Sequence, residues 1–334
     1  MRAFKIVAPG GLGKLSLTQA ADPRAPLLGE ISVRVRASSL NFHDYLVVTG
    51  AIPAADGRIP MSDGSGEVIA VGDGVDGFAV GDKVMSRYFP FWEAGAPRKG
   101  CFHGVPGELM DGYAREIATA PASFFSHIPS SYSYREAATL VCAGLTAWHA
   151  LVDGPVLPGA TVLVLGTGGV STFAVLFAKA MGATVIATSS SDEKLERMRS
   201  LGADHTINYR SMPKWEEAVE EITHGDGADH IMELGGAATL PQSINAAREG
   251  GHIAIIGALA GLKGPVPTVS ILRKQLRVQG VRVGNAVQQG DMVRAIDANG
   301  IRPVIDKAYP MEELADAFRY QETAAHIGKI CVDI

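Results

Sequence analysis

Gly166, Gly168 and Ser171 are spaced as G-x-G-x-x-S directly after the run TVLVL at 161–165. A β-branched and aliphatic run of that length reads as a strand covered on both faces. Behind the turn, Val170, Phe173, Ala174, Phe177, Ala178 and Met181 fall on one apolar helical stripe. Gly182 then stops the helix, and 184–188 reads as a second strand. This context points to phosphate chemistry. Gly166 and Gly168 allow a tight turn and close backbone approach, while Gly169 and Val170 open a helix whose free N–H groups and positive dipole end attract an anion. Ser171 stands where a third glycine is expected and is small enough for close helix–strand packing. The ligand expected is a dinucleotide pyrophosphate.

The end of the second strand selects between dinucleotides. An acid there would accept from a ribose 2′-OH. The chain instead has Ser189, Ser190, Ser191, Asp192, Glu193 and Lys194. Hydroxyls and the Lys194 ammonium suit a 2′-phosphate, which a carboxylate would repel, so the cofactor expected is NADPH. Asp192 reads as the start of the next helix, with Ser190 and Glu193 forming a capping box. Lys194 is also compatible with a plain solvated helix face.

The elements that must position this turn extend along the whole chain. At 334 residues two domains are expected, and 47% hydrophobic with 19% charged is ordinary globular composition. A net charge of −5 argues against nucleic acid or an anionic membrane as partner. The first residues enter a strand-like pattern without a secretory leader pattern. Cys101, Cys142 and Cys331 are far apart with no C-x-x-C, which fits a reducing cytoplasm and no four-cysteine zinc lobe. The apolar run 162–178 is broken by glycines and followed by Lys179, so it reads as strand and helix rather than a membrane span.

Residues 1–126 read as β-rich, with strands such as 31–37 and 66–71 between glycine turns. Tyr88, Phe89, Phe91 and Trp92 mark an aromatic loop, which either lines a substrate cleft or packs on the core. Residues 129–152 read as a connecting helix. Further buried strands are expected at 228–234, 251–257 and 276–283, giving an α/β doubly wound parallel sheet over 127–285. The tail, 286–334, carries helices near 290–299 and 311–323 and a last strand at 329–334.

Together, SSLNFHDYLVVTG (38–50), PMSDGSGEVIAVG (60–72), VDGFAVGDKV (75–84), AATLVCAGLTAW (137–148), GTGGVS, GALAG (257–261) and HIGKICVDI (326–334) resemble the medium-chain dehydrogenase/reductase superfamily over the whole chain. The nearest likeness is to its zinc-independent quinone oxidoreductase branch, related to ζ-crystallin. The resemblance implies a GroES-like β-rich catalytic domain, to which the C-terminal segment returns, and a Rossmann domain. It also implies cofactor contacts at Thr146, Gly257, Ala258, Val281, Val283, Tyr209 and Lys329, and a homodimer paired through the strand at 276–283.

The departures from the family pattern bear on the chemistry. Zinc-dependent members hold the metal with a cysteine, a histidine and a later cysteine or carboxylate. By that resemblance the three positions here are Asn41, Asp63 and Cys142, and only the last keeps a ligand that zinc prefers. Without a Lewis acid a plain ketone is a poor acceptor, whereas a quinone or α,β-unsaturated carbonyl spreads the arriving charge over its π system. Asn41 is the expected hydrogen-bond donor to that carbonyl. His43 aligns with the family's proton-relay position, its alternative being a structural histidine, and Tyr45 is a second possible donor or a packed aromatic. Ile52 stands where some quinone reductases have tyrosine. The function expected is an NADPH-dependent, metal-independent reductase of a small-molecule quinone or enone. An alcohol dehydrogenase with a residual metal site and a non-enzymatic NADPH-binding protein are the alternatives.

Overall fold

The computed structural model describes residues 1–334. From the N-terminus, β1 (Arg2–Ile6) pairs antiparallel with β2 (Leu15–Gln19). β3 (Glu30–Ser39) is the hub of a larger sheet, pairing antiparallel with β4 (Ser65–Val71) and β6 (Ile117–Pro121). β5 (Lys83–Ser86) extends that sheet from β4, and β7 (Phe125–His127) extends it from β5. Ile31, Val33 and Val35 alternate along β3 into a core with Val68, Val84, Phe124 and Phe125, while Arg34 and Arg36 face solvent. α1 (Phe42–Thr49) follows β3 and ends at Gly50, whose φ of 83° is left-handed. A Cβ at Gly50 would stand 2.0 Å from the Pro9 carbonyl oxygen, so only glycine fits.

The connecting helix is shorter and more broken than its apolar pattern implies. α2 (Tyr134–Ala138) starts at a Ser133–Glu136 capping box. A π-turn over Leu140–Gly144 follows, and α3 (Leu145–Asp153) resumes the helix. α2 packs on β3, β4 and β5. The first compact unit therefore runs through Leu145 and resumes at Val283, and the second is Thr146–Arg282. The sequence pattern places its divisions at 126 and 285, and the compact units divide after 145 and 282.

In the second unit β8 (Thr161–Leu165), α4 (Gly169–Ala180), β9 (Thr184–Ser189), α5 (Asp192–Ser200) and β10 (His205–Asn208) come first. Then follow α6 (Trp215–Ile222), β11 (Ala228–Glu233), α7 (Leu240–Ala246), β12 (Ala247–Ile255), α8 (Thr268–Arg273) and β13 (Arg277–Gly280). The strands lie in the order β10-β9-β8-β11-β12-β13, all parallel. The order reverses between β8 and β11, where the carboxyl ends of doubly wound sheets bind ligands. Leu163, Ile186, Ile231, Ile244 and Ile253 fill the core on one face. Ser191, not Ser190, caps α5, accepting from Lys194 N. The sixth strand stops at Gly280. Val281 N still bonds the Ile255 carbonyl, but Val283 turns to a φ of 44° and leaves the extended region.

The tail adds α9 (Ala286–Asn299), β14 (Ile305–Pro310), α10 (Leu314–Glu322) and β15 (Lys329–Asp333). β15 pairs antiparallel with β3, Cys331 opposite Ser39, and β14 pairs parallel with β15. The larger sheet thus has the order β14-β15-β3-β4-β5-β7, with β6 beside β3. Phe4, Leu40, Val47, Leu314, Phe318 and Ile330 form a second core that fixes α1 and α10 against it. No helix is long and apolar enough to cross a membrane.

Candidate active site

In the first unit, Asn41 sits at the N-cap of α1, immediately beyond β3. Leu40 N donates to the Ile330 carbonyl, continuing the β3–β15 pairing and bringing the start of β15 to this corner. Lys329 is buried there. Its ammonium donates to Asn41 Oδ1 and to the Leu40 carbonyl, each at 2.5 Å, and lies 3.7 Å from Asp63 Oδ2. The amide's other side, Asn41 Nδ2, donates to Ser62 Oγ at 3.2 Å. Asp44 ties the two chain segments together, Oδ2 accepting from Asn41 N and Oδ1 from Ser62 N. Met61, at a φ of 78°, makes the bend that turns Ser62 and Asp63 inward.

Asp63 is fully buried. One oxygen accepts from Ser39 Oγ at 2.6 Å, and Oδ1 has no hydrogen-bond partner. Burial pushes its carboxyl up to about 7, against the pull of the Lys329 ammonium. His43 donates from Nε2 toward Glu108 Oε2 at 2.9 Å, which leaves Nδ1 as the ring's acceptor. Its ring meets the edge of Tyr88 at 5.7 Å, which joins it to the aromatic loop. Tyr88, Phe89 and Trp92 are buried against one another, and only Phe91 of that group is exposed.

Tyr45 is drawn away from this corner by its packing partners. Its ring stacks on Phe42 and meets Phe318, packed against the second core rather than beside the Asn41 amide. Its hydroxyl donates to Glu322 Oε1 at 2.7 Å. Lys329, expected at the cofactor, spends its ammonium on Leu40, Asn41 and Asp63. Ser62, Glu108 and the Lys329–Asn41 bond were not read from the sequence, because their partners lie 21, 65 and 288 positions away.

In the second unit the glycine turn follows β8 directly. Gly166 has a φ of 76°, and a Cβ on Gly168 would meet nothing within 4 Å, so the backbone of the turn is uncovered. Gly168 is the N-cap of α4 and supplies no side-chain cap, which leaves first-turn N–H groups for an anion. Ser171 Oγ donates to the Leu165 carbonyl at 2.8 Å, locking the helix to its strand. At the carboxyl end of β9, Ser189 Oγ accepts from Ser191 N at 3.3 Å, and the Ser189 carbonyl accepts from Tyr209 N at 3.0 Å. Tyr209, Ser189 and Ser190 are thus gathered there, with Lys194 on the first turn of α5. Asp192 Oδ1 accepts from Asn208 Nδ2 at 2.7 Å. Gly257 and Ala258 follow β12, with a Gly257 Cβ placed 2.6 Å from the Leu234 carbonyl oxygen. Thr146 is buried near the start of α3. Val281 is the residue after β13, and Val283 belongs to the first unit.

Residues 28–130 match the family described as the alcohol dehydrogenase GroES-like domain, and residues 169–298 that described as zinc-binding dehydrogenase. The chain is 42% identical to a zinc-type alcohol dehydrogenase-like protein of Schizosaccharomyces pombe, over 92% of this chain and 91% of that protein. It is 30% identical to an alcohol dehydrogenase of Geobacillus stearothermophilus, with 92% of each chain covered. Among solved structures, an NAD-dependent alcohol dehydrogenase superposes with a TM-score of 0.91 at 34% identity, covering all of both chains.

These matches imply a nicotinamide dinucleotide and, by name, zinc. The uncapped, open turn at Gly166–Gly168 fits the dinucleotide. The corner at Asn41 does not fit zinc. Its donors are an amide oxygen already bonded to an ammonium and one buried carboxylate, and no three His, Cys, Asp or Glu side chains are grouped to hold a metal. A divalent ion there would also face the Lys329 charge.

Proposed function

The chain belongs to the medium-chain dehydrogenase/reductase superfamily and is a nicotinamide-dependent oxidoreductase; from that premise we propose that it is an NADPH-dependent, zinc-independent reductase of a quinone or an α,β-unsaturated carbonyl. The carrying observation is the Asn41 amide, held by Lys329 on one side and Ser62 on the other, at a position that the family resemblance matches to a zinc ligand. An amide donor stabilises charge on a carbonyl oxygen less than a metal does. Conjugation in the acceptor compensates for that weakness.

The cofactor, when bound, supplies hydride. Gly166, Gly168, Gly169 and Val170 would hold its pyrophosphate, and Ser189, Ser190, Lys194 and Tyr209 its adenosine 2′-phosphate. Asn41 orients the acceptor carbonyl. His43, its tautomer set by Glu108, holds or moves a proton at Nδ1. Two such chains pair through β13, an open sheet edge close in sequence to the exposed Leu262, Val269 and Leu272.

Oxidation of NADPH against that of NADH, followed at 340 nm over quinones, enones, aldehydes and ketones, tests the reading. Enone- or quinone-dependent NADPH consumption that survives chelation supports it. The relatives' names favour an alcohol dehydrogenase instead; alcohol oxidation lost with chelator and restored by zinc would replace our reading with that one.

A further inference from the structure

We propose that Lys329 is the fixed cation of this site and a positioning residue for its chemistry, orienting and polarising the Asn41 amide so that Nδ2 is turned toward the acceptor carbonyl. The inference rests on the reductase reading and deepens it.

An ammonium has three donors and no acceptor. Lys329 Nζ therefore dictates that Asn41 turn its oxygen inward, and the 2.5 Å contact leaves no place for the amide nitrogen on that side. Nδ2 then faces Ser62, which takes one of its two protons, and the other turns toward the Asp63 carboxyl until an acceptor carbonyl competes for it. A charge-assisted bond at Oδ1 draws density from the amide and strengthens its N–H groups as donors. The charge is fixed in place. Lys329 starts β15, its backbone N–H donates to the Val304 carbonyl, and the Leu40 carbonyl holds the head of the side chain. Asp63 balances the ammonium at 3.7 Å, and Ser39 holds Asp63. A buried lysine 288 positions from its amide partner is costly to keep as mere packing.

Lys329→Met is the direct variant. Because it strands the Asp63 carboxylate, Lys329→Met with Asp63→Asn is the second variant, removing both charges together. The expected result in either is a kcat lower by about 10- to 100-fold, the scale of weakening one transition-state donor, with the NADPH dissociation constant unchanged. Adding Asn41→Ala should cost little more, since both residues act through one amide. A weakened NADPH affinity with kcat intact, or fully multiplicative losses, would overturn the inference and make Lys329 a cofactor ligand.

A readout independent of turnover is the Asn41 side-chain amide in ¹H–¹⁵N spectra, identified by its loss in Asn41→Ala. Its resonances should move in Lys329→Met/Asp63→Asn relative to Asp63→Asn alone; unmoved resonances overturn the inference whatever the enzyme reduces. A wild-type protein inactive on every enone and quinone would remove the reductase reading, and the amide resonances would still decide whether Lys329 polarises Asn41.

Discussion

The Nδ1 atoms of His230 on β11 and His252 on β12 lie 3.2 Å apart inside the parallel sheet, with the Gly154 carbonyl 3.1 Å from His230 Nδ1. Two cations cannot share that space. Burial, then the neighbouring His252, pushes the His230 ring down to about 3, and burial with Arg277 lowers His252. Asp229 and Asp153 pull weakly the other way. The folded protein thus keeps these rings neutral while the unfolded chain takes up protons below about 6.5. Their contribution to stability is present above that pH and is lost as pH falls toward 3, at about 1.4 kcal/mol per pH unit for His230. Urea denaturation between pH 7.5 and 4.5 should show this slope, and His230→Leu should flatten it. Equal slopes would mean that other groups carry the acid sensitivity.

The same pair explains a glycine with no special backbone angle. A Cβ on Gly154 would stand 1.8 Å from His252 Nδ1. Gly154→Ala should destabilise the second unit by about 1–3 kcal/mol, the usual cost of overpacking, although Gly→Ala at an open site is mildly stabilising. Combining it with His252→Ala should recover most of the loss. Thermal melts of the single and double variants measure this, and an unrecovered double variant would place the strain elsewhere.

Much of the second unit was legible because each β–α step repeats a local signal. A short aliphatic run, a glycine and a 3.6-residue stripe gave β8, α4 and β9 within a residue or two. The first unit was less so. β14 is mostly exposed and carries no apolar alternation, so nothing in 305–310 marks it as a strand until β15 is beside it. The π-turn at Leu140–Gly144 is hidden because its apolar residues continue the helical pattern. The Asn41 corner combines segments near 41, 62 and 329, and spacing says nothing about which of them meet. The β3–β15 register brings Lys329 beside Asn41, a pairing that no local pattern around 329 announces.

Ser189 ends β9, buried, and receives a hydrogen bond from Ser191 N. Ser189→Asp would place a carboxylate where the resemblance puts the adenosine ribose. It should accept from a free 2′-OH and repel a 2′-phosphate, shifting kcat/KM from NADPH toward NADH by about tenfold or more. Asp192 does not pre-empt that effect, since it already accepts from Asn208. Steady-state kinetics with both cofactors decide it, and an unchanged ratio would remove Ser189 from the phosphate site.

Glu233 closes β11 with its carboxylate fully buried and no cation beside it in any ion pair. Four donors satisfy it instead. Oε1 accepts from Gly235 N, Gly236 N and Thr239 Oγ1, and Oε2 accepts from Ser243 Oγ. That clasp shapes the loop after β11, which in turn holds the loop after β12. Ala260 N donates to the Gly235 carbonyl and Ala237 N to the Gly261 carbonyl. Glu233→Gln replaces an acceptor with an NH₂ facing donors and should cost about 2–4 kcal/mol, the range for disrupting a buried charged hydrogen-bond network. Because the family resemblance puts Gly257 and Ala258, in the second of those loops, at the cofactor, affinity for the proposed NADPH should fall with stability. Urea midpoints and NADPH fluorescence titration of Glu233→Gln test both effects. Loss of stability with affinity retained would detach the 257–261 loop from the cofactor site.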